Sequence, residues 1–285
     1  MSDKDININW YPGHMAKAKR QMEEQLKLVD IVIELRDARM PLASGNPLLE
    51  EMAKNKERLV ILNKADMADE IENKKWTNYF KHVLICDSLN EKITKKIVDE
   101  VKLILKDKLD KAKARGIRKK VLRAMVVGIP NVGKSTFINN IVKKRVAKSE
   151  NRPGVTKNLQ WIRINEDVEL LDTPGVLWPK IEDQDKAKIL ALLGSMNDEI
   201  LDEEAIVLFG LDYIRNEYPS FLSTRYSVDE SSTSLLLDIG KNKGCLTSGQ
   251  IDKKKTCDML LKEIRSAKIG RITFEKYESI KWVWK

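Results

Sequence analysis

A glycine-rich loop places the strongest constraint on the fold of this chain. Residues 128–135 read Gly-Ile-Pro-Asn-Val-Gly-Lys-Ser and match the phosphate-binding pattern G-x-x-x-x-G-K-S/T in full. The apolar run Val121–Val127 precedes the loop, and a helical pattern begins near Lys134. In this context the backbone N–H groups of the loop and the N-terminus of the helix can surround phosphate oxygens. The sequence therefore predicts an α/β nucleotide-binding fold.

A second motif, N-K-x-D, stands ahead of this loop. It is formed by Asn63, Lys64 and Asp66, and it leads the phosphate-binding loop by 65 residues (128 − 63). The Asp66 carboxylate can accept hydrogen bonds from guanine N1–H and the exocyclic amine, which adenine does not supply. Asn63 would secure the loop, and the Lys64 stem would pack over the base. GTPases ordinarily carry these two motifs in the opposite order, so the sequence predicts a circularly permuted GTPase.

Six short apolar runs predict the strands of one sheet. Helix-like segments separate the first four, as parallel strands require, whereas the last two flank a short polar turn typical of an antiparallel hairpin. We therefore expect the small-GTPase plan, a mostly parallel six-stranded sheet with one antiparallel edge strand. The runs are Val29–Leu35, Arg58–Leu62, Val83–Cys86, Val121–Val127, Gln160–Ile164 and Val168–Leu171.

The pattern changes after Trp178-Pro179. Helical apolar spacing occurs at Ile181–Met196, Asp202–Tyr218 and Thr256–Ala267, and strand signals are scarce. We therefore predict a GTPase domain over residues 1–180 and a mainly α-helical domain over 181–285. The Lys-rich stretch Glu91–Lys120 predicts one helix and a basic loop between the third and fourth strands, and a solvated charged helix explains its composition equally well.

The phosphate and metal ligands can be assigned from the motifs. Lys134 would pair with the β- and γ-phosphates, and the Ser135 hydroxyl would bind Mg2+. Asp172 follows an apolar strand, where its carboxylate can hold Mg2+ directly or through water. The remaining assignments are Asn131, Val132, Gly133 and Thr136 in the phosphate loop, Thr156 as a second hydroxyl ligand of Mg2+, Gly175 at the γ-phosphate, and Asp87 and Ser88 completing the guanine pocket in place of the usual Ser-Ala-Lys.

The machinery for hydrolysis departs from the common pattern. Many GTPases place Gln directly after the D-x-x-G motif to orient water, and here that position is Val176. His14, in the segment Trp10–Met15, is the candidate replacement because an imidazole can orient water or accept a proton near neutral pH. His82 falls at the start of a strand, where a structural role is expected. Asn131 can help to hold K+ near the phosphates, or it can serve only in hydrogen bonds of the loop.

Charge and cysteine usage indicate the setting of the protein. The chain carries 52 Lys+Arg against 43 Asp+Glu, a net charge of +9, which suits either simple solubility or a polyanionic partner. A polar N-terminus, the lack of a bilayer-length apolar stretch and three cysteines without zinc spacing indicate a cytoplasmic protein, with monomer as the default. Candidate RNA contacts, with Gly240 and Gly244 allowing close backbone approach, are Lys241, Lys243, Lys253, Lys254, Lys255, Lys268 and Arg271.

The permuted motif order, the Trp10–Met15 segment, Asp37-Ala38-Arg39 and the helical tail resemble the bacterial ribosome biogenesis GTPase A family over nearly the whole chain. The resemblance implies a GTPase that binds an immature large ribosomal subunit through a helical RNA-binding tail. It also implies that hydrolysis accompanies release late in assembly, and it favours a catalytic role for His14.

Two alternatives stay open at this point. A nucleotide-gated RNA-binding protein with negligible hydrolysis is compatible with Val176. GTPases of RNA modification or membrane-transport regulation also use N-V-G-K-S loops, but they do not account for the permuted order.

Overall fold

The central sheet has six strands. The structure is a computed structural model that describes residues 20, 22–87, 93–142, 160–172, 181, 183–196 and 202–280, with only the backbone of Gln160, Asp172 and Ile280. The strand order is β3-β2-β1-β4-β6-β5; β5 pairs antiparallel with β6 at one edge, and the other pairs are parallel. The predicted sheet is confirmed. Its strands are β1 (Ile31–Asp37), β2 (Glu57–Asn63), β3 (Val83–Ile85), β4 (Leu122–Gly128), β5 (Gln160–Arg163) and β6 (Val168–Asp172).

The burial of β1 and β4 agrees with their central positions in the sheet. Every residue of β1 is buried, and six of the seven residues of β4 are buried, as expected for central strands of a parallel sheet covered on both faces. The carboxyl ends of parallel strands meet at one edge of a sheet. Asp37, Asn63, Gly128 and Asp172 are the last residues of β1, β2, β4 and β6, so the motifs converge at that edge.

Helices flank the sheet in the first part of the chain. The predicted helix within Glu91–Lys120 consists of two helices, of which α3 buries an apolar stripe that includes Ile97 and Val101 and turns its lysines outward. The helices are α1 (Pro47–Met52), α2 (Glu70–Trp76), α3 (Ile93–Ile104), α4 (Lys106–Ala114) and α5 (Lys134–Val142), with a 3-10 turn at Ala65–Met67; residues 22–26 are also helical.

The C-terminal region is mainly helical, as predicted. Asp183, Asp202 and Asp252 cap three of its helices by accepting backbone N–H groups of the first turn. The sequence did not predict the small hairpin of β7 (Leu246–Thr247) and β8 (Gln250–Ile251). The helices are α6 (Gln184–Leu192), α7 (Glu203–Glu217), α8 (Phe221–Tyr226), α9 (Leu235–Asn242), α10 (Lys253–Arg265) and α11 (Tyr277–Ile280).

Gly240 serves the packing of two helices. A Cβ at this position would lie 2.6 Å from Thr256 Oγ1, so the glycine lets α9 and α10 approach closely. The expectation that Gly240 admits an RNA backbone is therefore wrong, because Thr256 fills that space. Gly244 differs, since it has a φ of +66° and a Cβ added there would meet no atom of the described residues within 4 Å.

One apolar cluster runs from the sheet into the C-terminal helices. It includes Ile33 and Val126 of the sheet together with Leu190 and Leu260 of α6 and α10. The domain boundary at residue 180 stays a prediction. Across the described segments, the helices are too short or too polar to span a lipid bilayer.

Candidate nucleotide site

The phosphate-binding loop connects β4 to α5 in the predicted strand–loop–helix arrangement. Asn131 and Gly133 have φ angles of +61° and +93°, the left-handed conformation that turns successive N–H groups inward. A Cβ on Gly128 would lie 2.9 Å from Val132 Cγ1, so this position also requires glycine. Lys134 begins α5 and is buried. The loop therefore has the shape and the cation that a polyphosphate requires.

The N-K-x-D motif packs directly against this loop. Asn63 Nδ2 donates to Val132 O (2.8 Å), and Lys64 Nζ donates to Asn131 O (2.6 Å). A Cβ on Gly133 would lie 2.5 Å from Asn63 Nδ2, so the contact excludes any larger residue. The two motifs therefore form one unit although they are far apart in sequence.

Asp37 joins the two motifs to Arg39. Arg39 Nε and Nη2 donate to the two carboxylate oxygens of Asp37 at 2.9 and 2.8 Å, and Lys64 Nζ lies 3.0 Å from Oδ2. Burial alone would raise the pKa of Asp37, but Arg39 and Lys64 hold this pKa well below its usual value. In the sequence, Asp37-Ala38-Arg39 is only a mark of the family resemblance. An acidic residue ending an apolar strand, two positions before an arginine, was the available signal.

The predicted guanine contacts lie beside each other. Asp66 is exposed within the 3-10 turn, and Ala65 N donates to Cys86 O (3.1 Å), which joins this turn to the end of β3. Burial raises the pKa of the Cys86 thiol to about 12, with further contributions from the Asp87 and Asp66 charges. Both carboxylates are thus close to Cys86, at the edge where a base would bind.

Two of the predicted Mg2+ ligands, Ser135 and Asp172, fall within the described residues. Ser135 lies partly buried in the first turn of α5, and the backbone of Asp172 pairs with Val126 of β4, the strand that leads into the phosphate loop. A hydroxyl and a carboxylate are the oxygen ligands that Mg2+ prefers. The predicted positions His14, Ser88, Thr156, Gly175 and Val176 lie outside the described residues.

The C-terminal region contacts the phosphate loop. Asn131 Nδ2 donates to Gly194 O (2.6 Å), so the amide group serves a hydrogen bond between regions, and its role toward K+ stays a prediction. Arg265 Nε and Nη2 donate to Leu192 O and Ala191 O (3.0 and 2.9 Å), which fixes the turn containing Gly194.

Arg271, predicted to contact RNA, lies against the turn that follows N-K-x-D. Its Nε donates to Ala68 O (2.8 Å) and its Nη2 to Ala65 O (3.0 Å). We call residues 63–69 the guanine loop and residues 271–275 the docking segment. The sequence does not predict this contact, because hydrogen bonds to backbone carbonyls leave no residue-type pattern.

The other predicted RNA contacts lie on the surface of the C-terminal region. Lys253 Nζ is 2.7 Å from Glu204 Oε1, and Lys243 Nζ lies 5.3 Å from the centre of the Tyr226 ring. The remaining exposed members are Lys241 near the end of α9, Lys254 and Lys255 in the first turn of α10, and Lys268 after it.

The comparisons with known proteins identify a family of GTPases. A family described as 50S ribosome-binding GTPase matches residues 123–239. Ribosome biogenesis GTPase A of Bacillus cereus is 49% identical over 95% of this chain and 94% of its own length, and that of Thermotoga maritima is 32% identical over 96% of both. The GNP-bound YlqF structure from T. maritima has a TM-score of 0.65, 29% identity and coverage of 91% of this chain and 98% of its own. A GDP-bound YlqF structure has a TM-score of 0.66 at 28% identity, covering 91% and 100%.

The phosphate loop, the guanine motif packed on it and these full-length similarities lead to one conclusion: the chain is a GTP-binding GTPase that belongs to the ribosome biogenesis GTPase A family.

Proposed function

We propose that this GTPase binds the immature large ribosomal subunit and acts late in its maturation, with hydrolysis stimulated by the particle and coupled to release. The observation that carries the proposal is the hydrogen bond from Asn131 in the phosphate loop to Gly194 in the C-terminal region. A region that touches the phosphate loop can change its orientation when the γ-phosphate is lost. The names of the similar proteins supply the ribosomal partner.

The nucleotide is held through charges and dipoles that the strand ends bring together. Lys134 pairs with the β- and γ-phosphates, and Asp66 recognises guanine with Asp87 and Ser88 beside it. Ser135, Thr156 and Asp172 are the ligands we assign to Mg2+, which would neutralise phosphate charge when bound. These roles are supported by the geometry of the described members, Lys134, Asp66 and Ser135, at one edge of the sheet.

Hydrolysis depends on residues other than the usual glutamine. The Val176 side chain has no donor or acceptor for the attacking water, so we assign the orientation of that water to His14, brought into place by the ribosomal particle. Asn131 would assist by holding K+ near the phosphates when its amide turns from Gly194.

The lysines of the C-terminal region form the RNA-facing surface in this proposal. Lys253, Lys254 and Lys255 occupy the N-terminal turn of α10, where the helix dipole disfavours cations. Phosphates from RNA would neutralise this charge and release counterions. Lys241 and Lys243 lie at the end of the neighbouring helix α9 and extend the same surface.

The proposal is tested by measuring GTP turnover with and without immature large ribosomal subunits. We expect marked stimulation of the wild-type protein and little stimulation of His14→Ala, with His82→Ala as the matched histidine control. The absence of stimulation in the wild-type protein would refute the proposed function. Equal stimulation of His14→Ala would refute only the role of His14, and negligible turnover under all conditions would favour a nucleotide-gated binding protein.

A further inference from the structure

The docking segment supports the backbone of the guanine loop. The Arg271 guanidinium donates to the carbonyl oxygens of Ala68 and Ala65 at 2.8 and 3.0 Å. These carbonyls lie on the two sides of Asp66 in the chain. One planar cation therefore fixes both flanks of the turn that carries the guanine-recognising carboxylate.

Backbone hydrogen bonds continue the same contact. Ile272 N donates to Met67 O (3.2 Å), and Asp69 N donates to Thr273 Oγ1 (3.1 Å). Successive groups of the guanine loop are thus paired with successive residues of the docking segment. Asp66 is exposed, so its carboxylate depends on this supported backbone for its position.

From these contacts we propose that Arg271 is a positioning residue for guanine recognition, acting through the backbone on either side of Asp66. The inference rests on the guanine role proposed above for Asp66. Guanine offers N1–H and an amino group to one carboxylate, and hydrogen bonds weaken steeply when their geometry is lost. Correct placement of Asp66 therefore controls discrimination between guanine and bases that lack the amino group.

The test compares the affinities of the full-length protein for GDP and for inosine diphosphate, whose base lacks that amino group. Arg271→Ala is expected to weaken GDP binding about tenfold, because a charge-assisted pair of hydrogen bonds is lost. Binding of inosine diphosphate should weaken less, since that base makes fewer bonds to Asp66. The dissociation constant for inosine diphosphate divided by that for GDP therefore falls toward one. Arg271→Lys keeps the charge but loses the planar fork, so it should give a ratio between those of the wild type and Arg271→Ala.

The controls separate positioning from folding. Arg215→Ala removes an arginine paired with Asp212 within α7 and should leave both affinities unchanged. An unchanged ratio of the two dissociation constants in Arg271→Ala, whether both affinities weaken equally or neither weakens, would overturn the proposal. If Arg271→Ala does not fold, Arg271→Lys provides the test, and a wild-type ratio in that variant would overturn the proposal.

Asp66→Ala tests the foundation of the inference independently. A collapsed ratio in Asp66→Ala with a wild-type ratio in Arg271→Ala would overturn only the role of Arg271. An unchanged ratio in Asp66→Ala would overturn the guanine role of Asp66 and the inference together.

Discussion

Among the described residues, the C-terminal region contacts the nucleotide edge of the GTPase fold at two places, and the two contacts differ in kind. On the guanine side, the docking segment pairs its backbone and side chains with the loops after β1 and β2. On the phosphate side, a glycine carbonyl accepts the Asn131 amide of the phosphate loop. The first contact involves the guanine loop, to which we assign recognition of the base, and the base is the same in GTP and GDP. We therefore expect the guanine side to act as an anchor and the phosphate side to respond to the γ-phosphate.

The guanine-side anchor centres on Glu275. Its carboxylate accepts N–H groups from Leu42 and Ala43 at 2.6 and 2.8 Å, and its carbonyl accepts from Trp76 Nε1 at 3.0 Å. Phe274 N also donates to Arg39 O (2.7 Å). Several paired groups from one short segment make this contact costly to open.

The phosphate-side contact is organised by two arginines. Arg39 Nη1 donates to Arg265 O (3.0 Å), while the Arg265 side chain holds the turn that presents Gly194. Arg39 is itself paired with Asp37, which also contacts Lys64. A continuous set of polar contacts therefore connects the end of β1 to the C-terminal turn.

The largest effect, on the free energy of unfolding, is expected from removing the buried carboxylate of Asp37 from this set of polar contacts. Asp37→Ala leaves the buried Arg39 and the partly buried Lys64 without their shared partner, and we expect a loss of about 3–5 kcal/mol in the free energy of unfolding. Urea denaturation measures this loss. Asp212→Ala, which removes an exposed carboxylate paired with Arg215, is the matched control and should cost about 1 kcal/mol or less. A similarly small loss for Asp37→Ala would show that the polar contacts between the end of β1 and the C-terminal turn contribute little to stability.

The anchor on the guanine side is expected to depend on pH. Burial raises the pKa of Glu275 from 4.5 to about 7, although the N–H groups of Leu42 and Ala43 oppose this shift. Between these two values the folded protein binds more protons than the unfolded chain, so stability falls as pH rises from about 4.5 to 7. We expect this residue to contribute a decrease of about 1–3 kcal/mol.

Glu275→Gln should remove that contribution. The measurement is the free energy of unfolding at pH 5 and pH 8 for both proteins, and the wild-type protein should show the larger decrease. Glu57→Gln, at an exposed position at the start of β2, is the control. An equal decrease in wild type and Glu275→Gln would show that the anchor does not titrate.

The smallest effect, on affinity for RNA, is expected from a change on the lysine surface of the C-terminal region, which belongs to neither contact. Lys254→Ala should lower affinity for ribosomal RNA about two- to threefold and reduce the slope of log affinity against log salt by about 1. Lys106→Ala, an exposed lysine of α4, is the control and should leave the slope unchanged. An unchanged slope for Lys254→Ala would remove it from the RNA surface.

The features that the sequence predicts correctly are those that local patterns determine. The strands ending at Asp37, Asn63 and Gly128 are marked by short, mostly apolar runs, and the phosphate loop is marked by its glycines and Lys134. These signals are contained within short segments. The sheet, its antiparallel edge strand and the nucleotide edge were therefore predictable.

The contacts between the two regions were not predictable in the same way. Arg271 and Ala65 are 206 residues apart, and the acceptor is a backbone carbonyl that any residue supplies. The RNA role of Arg271 stays a prediction, but a basic residue in a basic tail carries no sign in the sequence of the backbone carbonyls that it contacts. Gly240 was misread for a related reason, since a glycine needed for helix packing looks the same in sequence as one that admits a ligand.

The most direct test of the account is the affinity of the full-length protein for immature large ribosomal particles with a non-hydrolysable GTP analogue and with GDP. We expect the wild-type protein to bind at least about fivefold more tightly with the analogue. Gly194→Ala should bring this ratio close to one, because its methyl group would lie 3.1 Å from Arg265 Nε and displace the turn. Gly244→Ala carries similar backbone strain at a φ of +66° in open space and should retain the ratio. Equal affinities of the wild-type protein in the two nucleotide states would contradict the coupling between the nucleotide site and the C-terminal region.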